Sequence, residues 1–363
     1  MKALVLSGGM GTRLRPLTHS MPKQLVPIAG KPVLVHCLDR IRDAGITDIG
    51  IVVGERAKEI EAALGDGSQL GVRLTYIQQE APFGLAHCVL IAREFLAEDD
   101  FVMYLGDNVL DADLGALMEP FLTHRPAAQL VVTKVPNPSE SGVAEVDAGG
   151  VVLRVEEKPA RPRSDLAMVG VYFFTPAVHR AVREIPLSWR NEWEITDAIQ
   201  WLLDDGQEVR ASVHDGFWKD TGRVEGILDS NRVLLDELAG ELAEEPSELE
   251  AGVLDGESTV TGPVRIGPGV RLIRSHVVGP AVIGAGTVIE DSRVGPYTAL
   301  GERCVLRRAG IEDSITLDGV EVDGVTGIRE SLIGKAAQIT QRPSEPGVNR
   351  LVVGDHTRME VGA

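Results

Sequence analysis

From about residue 246 onward the chain repeats a short phrase: an aliphatic residue, Gly, and a variable residue. It occurs at Ile266-Gly267-Pro268, Val278-Gly279-Pro280, Ile283-Gly284-Ala285, Val294-Gly295-Pro296, Leu300-Gly301-Glu302 and Ile333-Gly334-Lys335. Aliphatic positions near a six-residue spacing suit a parallel β-helix, in which each coil buries them in a narrow core and Gly is read as allowing the tight corner. At roughly 18 residues per coil the segment has room for a handful of coils. The period is imperfect, and an ordinary Gly- and Pro-rich β-sandwich is the competing arrangement. After Thr340 the periodicity is too weak to place the tail.

The first 240 residues or so have a different texture. Short runs at Ala3 to Leu6, Ile49 to Val53, Leu74 to Ile77, Phe101 to Leu105 and Leu130 to Val135 read as buried strands bounded by turn or helix signals. Between the first two, Leu34, Leu38 and Ile41 mark the apolar face of a helix that begins near Pro32 and ends at Gly45, a βαβ unit. One long helical pattern runs from Gly222 to about Glu245, with Ile227, Leu234 and Leu238 in phase. The expected organisation is an α/β domain over 1–245, with a Rossmann-like, mixed and mainly parallel sheet, followed by a short β-helix domain and tail over 246–363.

Length and charge limit the partners. With 363 residues and 44% hydrophobic composition the chain can bury two cores, and its net charge of −18 argues against a nucleic-acid partner. An anionic ligand would therefore need a few Lys and Arg residues gathered at one site. Cys37, Cys88 and Cys304 lie far apart with no CxxC pair, which argues against disulfides or a zinc cage and suits a reducing cytoplasm. Met1 and Lys2 lead straight into Ala3-Leu4-Val5-Leu6, too short for a signal peptide, and no run is long enough to span a membrane.

The first strand leads into Leu6-Ser7-Gly8-Gly9-Met10-Gly11-Thr12-Arg13-Leu14. Gly-rich backbone leaving a parallel strand can aim several N–H groups at one anion, and Arg13 and Lys23 supply charge. A Walker loop is excluded because no Gly-Lys-Ser/Thr closes the run, and Leu14 stands where a dinucleotide fingerprint needs its third small residue. Pro16-Leu17-Thr18 and Pro22-Lys23-Gln24-Leu25-Val26-Pro27 predict an extended, proline-stiffened segment that returns Lys23 to the phosphates.

These runs resemble those of the sugar-nucleotide pyrophosphorylases, and within them the glucose-1-phosphate thymidylyltransferases. The resemblance covers essentially the whole chain, the tail being like that of the longer members, whose β-helix is left-handed. It implies a Rossmann-like sheet with an inserted sugar-binding half, Mg²⁺ dependence, and binding of triphosphate before sugar phosphate. It further implies nucleotide contacts from Leu6, Gly8, Gly9, Gly11, Thr12, Arg13 and Gln24. The homo-oligomeric state and the place in deoxysugar biosynthesis, with product-sugar nucleotides as inhibitors, also come from the resemblance alone.

Other motifs extend the site. In Gln79-Glu80-Ala81-Pro82-Phe83-Gly84-Leu85 the Gln79 amide could donate to and accept from a pyrimidine edge, while Gly84 lets backbone approach the ring; a solvent-facing helix entry is the bland alternative. In the thymidylyltransferases this loop, Pro82 included, reads thymine. Asp107 follows the strand at Phe101 to Leu105, where α/β sheets place ligands, and a carboxylate there suits Mg²⁺, although a lone Asp is more often a cap or turn residue. Asp220, in Trp218-Lys219-Asp220-Thr221-Gly222, resembles the family's second metal position; the Asp-Thr-Gly has no second copy to make an aspartic-protease site.

Glu157 and Lys158 offer a carboxylate and a cation at a strand exit, where an exposed charged turn is the alternative. By resemblance Glu157 grips sugar hydroxyls, Lys158 and Arg190 the sugar phosphate, Asn108 belongs to the same site, Gly142 leaves room for the ring, and Met168 and Tyr172 line the opposite wall. Met168 departs from the smaller aliphatic residue usual there. The implied reaction is in-line attack by glucose 1-phosphate on the α-phosphorus of dTTP, in which the protein aligns reactants and neutralises charge. No histidine has metal-like spacing and no Ser or Cys sits in a nucleophile elbow. The rivals are a uridylyltransferase using a different sugar 1-phosphate, a bifunctional uridylyltransferase–acetyltransferase, for which the repeat is short, and a regulatory or assembly protein that keeps the fold without catalysis.

Overall fold

A computed structural model describes residues 1–244, 255–341, 356–358 and 360. The boundary expected at Glu245-Pro246 and most of the tail after Thr340 lie outside those residues. Contacts divide the chain into two compact units: Met1–Met10, Pro22–Leu25 and Val33–Asp220 form one, and Gly11–Met21, Val26–Pro32 and Thr221–Ala363 the other.

The first unit is built on a mixed nine-stranded sheet. Its strands Phe101–Leu105, Lys2–Ser7, Asp48–Val53 and Arg73–Gln78 are neighbours in that order, all parallel. Leu166–Phe174 then pairs antiparallel with Phe101–Leu105 and leads to the half formed by Gly142–Val146, Val152–Glu157, Ala128–Lys134 and Val209–Val213. Two-residue alternation splits each central strand between two cores. Leu4, Leu6, Phe101 and Met103 face one, while Ala3, Val5, Val102 and Tyr104 face the other. The helix Val33–Asp43 buries Leu34, Cys37, Leu38 and Ile41, and Gly45, at φ 82°, follows it in the left-handed region. Its start at Val33 leaves Pro32 in a short strand pair rather than in the first helical turn.

The second unit contains the helix Val224–Glu244 and a parallel β-helix. Three parallel sheets of four, five and five short strands stack coil upon coil, which excludes the sandwich. Thr259 pairs with His276, Val264 with Ala281 and Arg271 with Val288, a step of 17 residues, which shortens to 16 where Ala299 pairs with Ile315 and Val305 with Glu321. The coil is thus slightly shorter than the period read from the repeat.

The role of the repeat's glycines is also different from the expected one. Gly267, Gly284 and Gly301 are absent from the left-handed region; the corners there fall at Gly269, Gly286, Arg303, Gly319 and Ala336. What Gly267 and Gly301 permit is close stacking: a Cβ on Gly267 would lie 2.7 Å from the Ala285 amide nitrogen, and one on Gly301 2.6 Å from the Leu317 carbonyl carbon. Inside the coils a serine ladder satisfies buried amides. Ser258 Oγ accepts from Ser275 N at 3.0 Å, Ser275 Oγ from Ser292 N at 3.1 Å, and Ser292 Oγ from Ala309 N at 2.9 Å.

No helix among the described residues is long and apolar enough to cross a membrane. All three cysteines are free and buried.

Candidate active site

Three of the four neighbouring parallel strands deliver the first group of residues at their carboxyl ends. Lys2–Ser7 runs into Gly8 and Gly9, Arg73–Gln78 into Gln79, and Phe101–Leu105 into Asp107. Gly8 and Gly54 follow paired strand ends so closely that a Cβ on Gly54 would lie 2.9 Å from the Gly8 carbonyl oxygen. A Cβ on Gly9 would lie 2.9 Å from Lys23 Cε, so the end of the lysine side chain crosses the loop directly against Gly9. Gln24 Nε2 donates to the Gly9 carbonyl at 3.4 Å, while its buried Oε1 has no hydrogen-bond partner among the described residues.

Lys23 Nζ forms an ion pair with Asp107 Oδ2, both side chains being largely buried. The strand after Asp107, Asn108–Leu110, pairs antiparallel with Trp218–Asp220, with Asp220 opposite Asn108. That register sets Asp220 opposite the residue after Asp107 although the two aspartates are far apart in sequence. Asn108 is pinned by donating to the Val169 carbonyl at 2.7 Å, and the irregular register between Met168 and Tyr172 makes room for it. Gly170, at φ 84°, sits in that irregularity, and a Cβ there would strike the Asn108 amide.

Among the described residues no group of three or more His, Cys, Asp or Glu could hold a metal. Mg²⁺ is ordinarily held by one or two carboxylates together with substrate phosphates and water, so the Asp107 and Asp220 pair fits an ion that comes with a polyphosphate. Cys37 lies fully buried near Asp107; burial first, then that carboxylate, pushes its thiol well above the usual range, which leaves it unreactive.

The Gln79 loop is closed against a second segment. Trp193 N donates to the Phe83 carbonyl at 2.8 Å and Ala86 N to the Trp193 carbonyl at 3.0 Å. Gly84 has φ 102°, and a Cβ there would lie 2.8 Å from Trp193 N. Glycine is therefore required by both conformation and space. Pro82 is exposed on this loop.

A third group surrounds Glu157. Its Oε1 accepts from Arg190 Nη1 at 3.3 Å and lies 3.6 Å from Lys158 Nζ, and its Oε2 accepts from Thr196 Oγ1 at 3.3 Å. Arg190 also reaches Glu194 and Glu192, each at 3.2 Å. Burial first, then the Glu194 carboxylate, raises the Glu157 pKa, with Lys158, Arg190 and Thr196 opposing. Tyr172 is buried beside it, its phenol raised by burial and by the Glu157 charge. A Cβ on Gly142 would meet Met168 Cε, Thr196 Cγ2 at 2.9 Å and Glu157 Oε2 at 3.2 Å. Gly142, Met168, Tyr172, Lys158 and Arg190 are thus gathered around Glu157, with Met168 and Tyr172 beside it rather than across from it.

Gly11, Thr12 and Arg13 fall in the second unit. Gly11 is left-handed at φ 63°, Thr12–Leu14 is a single 3₁₀ turn, and Thr18 Oγ1 donates to the Gly11 carbonyl at 2.7 Å. The segment expected to be extended, Pro16 to Thr18 and Pro22 to Pro27, instead holds two further such turns, Leu17–His19 and Lys23–Leu25. The sequence alone carries no sign of Gly54, His87, Gly170, Trp193, Glu194 or Thr196 as site residues. His179 is a core residue stacked on Phe101, its pKa lowered to about 4 chiefly by burial.

Residues 2–237 match the nucleotidyl transferase family. Over 363 residues, the full length of both chains, the protein is 52% identical to a glucose-1-phosphate thymidylyltransferase of Streptomyces griseus. It is 49% identical to one of Streptomyces antibioticus over 99% of each chain. Among solved structures it resembles a Bacillus anthracis protein provisionally described as a glucose-1-phosphate thymidylyltransferase and solved with sucrose, at TM-score 0.60 and 30% identity, covering 69% of this chain and 98% of that one.

Proposed function

Because the chain belongs to the nucleotidyl transferase family, among the glucose-1-phosphate thymidylyltransferases, we propose that it transfers the thymidylyl group of dTTP to glucose 1-phosphate. A phosphate oxygen of the sugar phosphate attacks the α-phosphorus, the bond to the β-phosphate breaks, and dTDP-glucose and pyrophosphate form. The attacking oxygen is already anionic near neutral pH, so no protein nucleophile is needed.

The observation that carries this reading is Lys23, held across Gly9 and paired with Asp107 at the end of the central strands. Such a cation is suited to the charge that gathers on the α-phosphate and leaving group. Arg13 is given the same role on the strength of its motif. Asp107 and Asp220 would hold Mg²⁺, which supplies further neutralisation of phosphate oxygens. Gln79, Pro82 and Gly84 are assigned to the base, and Leu6, Gly8, Gly9, Gly11, Thr12 and Gln24 to the rest of the nucleotide. Glu157 takes sugar hydroxyls, Lys158 and Arg190 the sugar phosphate, with Asn108, Gly142, Met168 and Tyr172 shaping the pocket.

The catalytic work is assigned to residues 1–245 and subunit contacts in a homo-oligomer to the β-helix domain at 246–363. A monomer by light scattering would defeat the second assignment. A cytoplasmic enzyme of deoxysugar biosynthesis is the matching setting. The test is pyrophosphate release with Mg²⁺, crossing dTTP, UTP, ATP, CTP and GTP against glucose, galactose, mannose and N-acetylglucosamine 1-phosphates. Release should be strongest with dTTP and glucose 1-phosphate; binding of both without release would move the chain to the regulatory class.

A further inference from the structure

The Gln79 amide is tethered at one end. It is almost fully buried, and its Nε2 lies 3.2 Å from the Gly84 carbonyl oxygen and 3.1 Å from His87 Nδ1. A carbonyl oxygen can only accept, so the end facing Gly84 must be the NH₂. With one N–H on Gly84 and the other on His87, the group left for a ligand is Oε1. That oxygen points along the phosphate loop, 3.3 Å from where a Cβ on Gly8 would stand.

His87 is itself fixed. Its ring stacks on Trp193 with centroids 5.6 Å apart and planes at 23°, and meets Phe83 edge-on at 5.1 Å. Nδ1 accepts only when the imidazole is neutral with its proton on Nε2. Burial favours the neutral form by holding the imidazole below its ordinary pKa, with Glu80 opposing.

We propose that His87 is a positioning residue for base selection, locking the Gln79 amide so that only an acceptor faces the pyrimidine. Thymine carries a single donor on its pairing edge, N3–H between two carbonyls, and an outward Oε1 matches it. Cytosine presents a bare N3 beside an amino group, so at the same position lone pair meets lone pair. Uracil has the same edge as thymine, and this device does not separate dTTP from UTP. The inference rests on Gln79 as the reader of the base.

The probe is 5-methyl-dCTP, which differs from dTTP only at ring positions 3 and 4. Its inhibition constant against dTTP is compared with the dTTP KM, alongside kcat/KM for dTTP and UTP. His87→Phe keeps an aromatic ring for the stack and removes the acceptor. It should lower discrimination against 5-methyl-dCTP about tenfold, the worth of one hydrogen bond of ordinary strength, with the effect in KM and the dTTP to UTP ratio unmoved. His87→Asn places an amide oxygen near the former Nδ1 and should restore most of the discrimination.

Unchanged discrimination in His87→Phe, or equal losses in the Phe and Asn variants, would overturn the positioning role. Gln79→Ala separates the two layers. If it discriminates like the wild type, the base-reading assignment fails; if it loses discrimination while His87→Phe does not, only the role of His87 fails.

Discussion

Glycines mark close approaches in both units; Gly54 and Gly84 in the first unit lie against main chain, as Gly301 does in the β-helix, but Gly9 and Gly142 do not. A Cβ on Gly9 or Gly142 would meet side chains: Lys23 in the first case, and Met168, Thr196 and Glu157 in the second. A Cβ on Gly301 would meet the main chain of the next coil, at Leu317 and Asp318. The charged pairs divide the same way. Lys23 with Asp107 and Arg190 with Glu157 are partly buried, whereas Arg274 with Asp291 runs along the exposed outside of the β-helix. In the first unit these glycines and charges lie among side chains that the sequence marks as a site; in the β-helix they serve the stacking of coils.

Substitutions should therefore separate activity from stability according to unit. The largest effect is expected at Lys23. Lys23→Ala should lower kcat at least about a hundredfold, on the order of 3 kcal/mol of transition-state stabilisation, with a thermal unfolding midpoint close to wild type. Near-normal turnover would remove the lysine from the chemistry and blur the contrast with the β-helix.

Glu157→Gln is next. Hydrogen bonds to a charged group are worth about 1.5–3 kcal/mol, so kcat/KM for glucose 1-phosphate should fall tenfold or more while the KM for dTTP stays put. This variant also carries a pH signature. The folded chain holds the Glu157 proton to a higher pH than the unfolded chain does, so the stability linked to that proton is complete below the unfolded value of about 4.3 and is lost as pH rises through the raised one. The midpoint of Glu157→Gln relative to wild type should accordingly improve from acid toward neutral pH. A difference that stays flat would mean that Glu157 has no raised pKa.

How far these roles could be read in the sequence depends on what fixes them. Asp107 was legible because it ends an apolar strand run, and Lys23 because the family motif carries it. The turns between Thr12 and Leu25 were not, because Pro sets φ near a value shared by extended and 3₁₀ backbone and leaves ψ to decide. His87, Trp193 and Thr196 carry no local signal: they meet Gln79, Gly84 and Glu157 only once the strands and helices are packed. In the β-helix the aliphatic-Gly phrase revealed the architecture, yet its glycines proved to be contact positions, and corners at Arg303 and Ala336 were hidden because non-glycine residues occupy them.

Gly301→Ala tests the other side of the contrast. Its new methyl would sit 2.6 Å from the Leu317 carbonyl carbon and 2.7 Å from the Asp318 nitrogen, and main chain held in two adjacent coils can yield only by shifting both. Overpacking of this kind costs about 1–3 kcal/mol, so the unfolding midpoint should drop while kcat for the folded enzyme is unchanged. Loss of turnover with an unchanged midpoint would show that the coils do more than stack.

The smallest effect is expected at Arg274. Its guanidinium donates to Asp291 at 2.6 Å and to Glu290 at 3.1 Å, and its pKa is pushed up, first by the Asp291 hydrogen bond. Like Arg190 among Glu157, Glu192 and Glu194, it is held by more than one carboxylate. The side chain is 44% exposed, however, so water and salt screen the attraction and ordering a long side chain offsets what remains. Arg274→Gln should leave both midpoint and turnover indistinguishable from wild type, at low salt as well as high. A clear drop in midpoint confined to low salt would mean that the exposed pairs along the coils act as a coupled network, and that charge as well as backbone stacking holds the β-helix together.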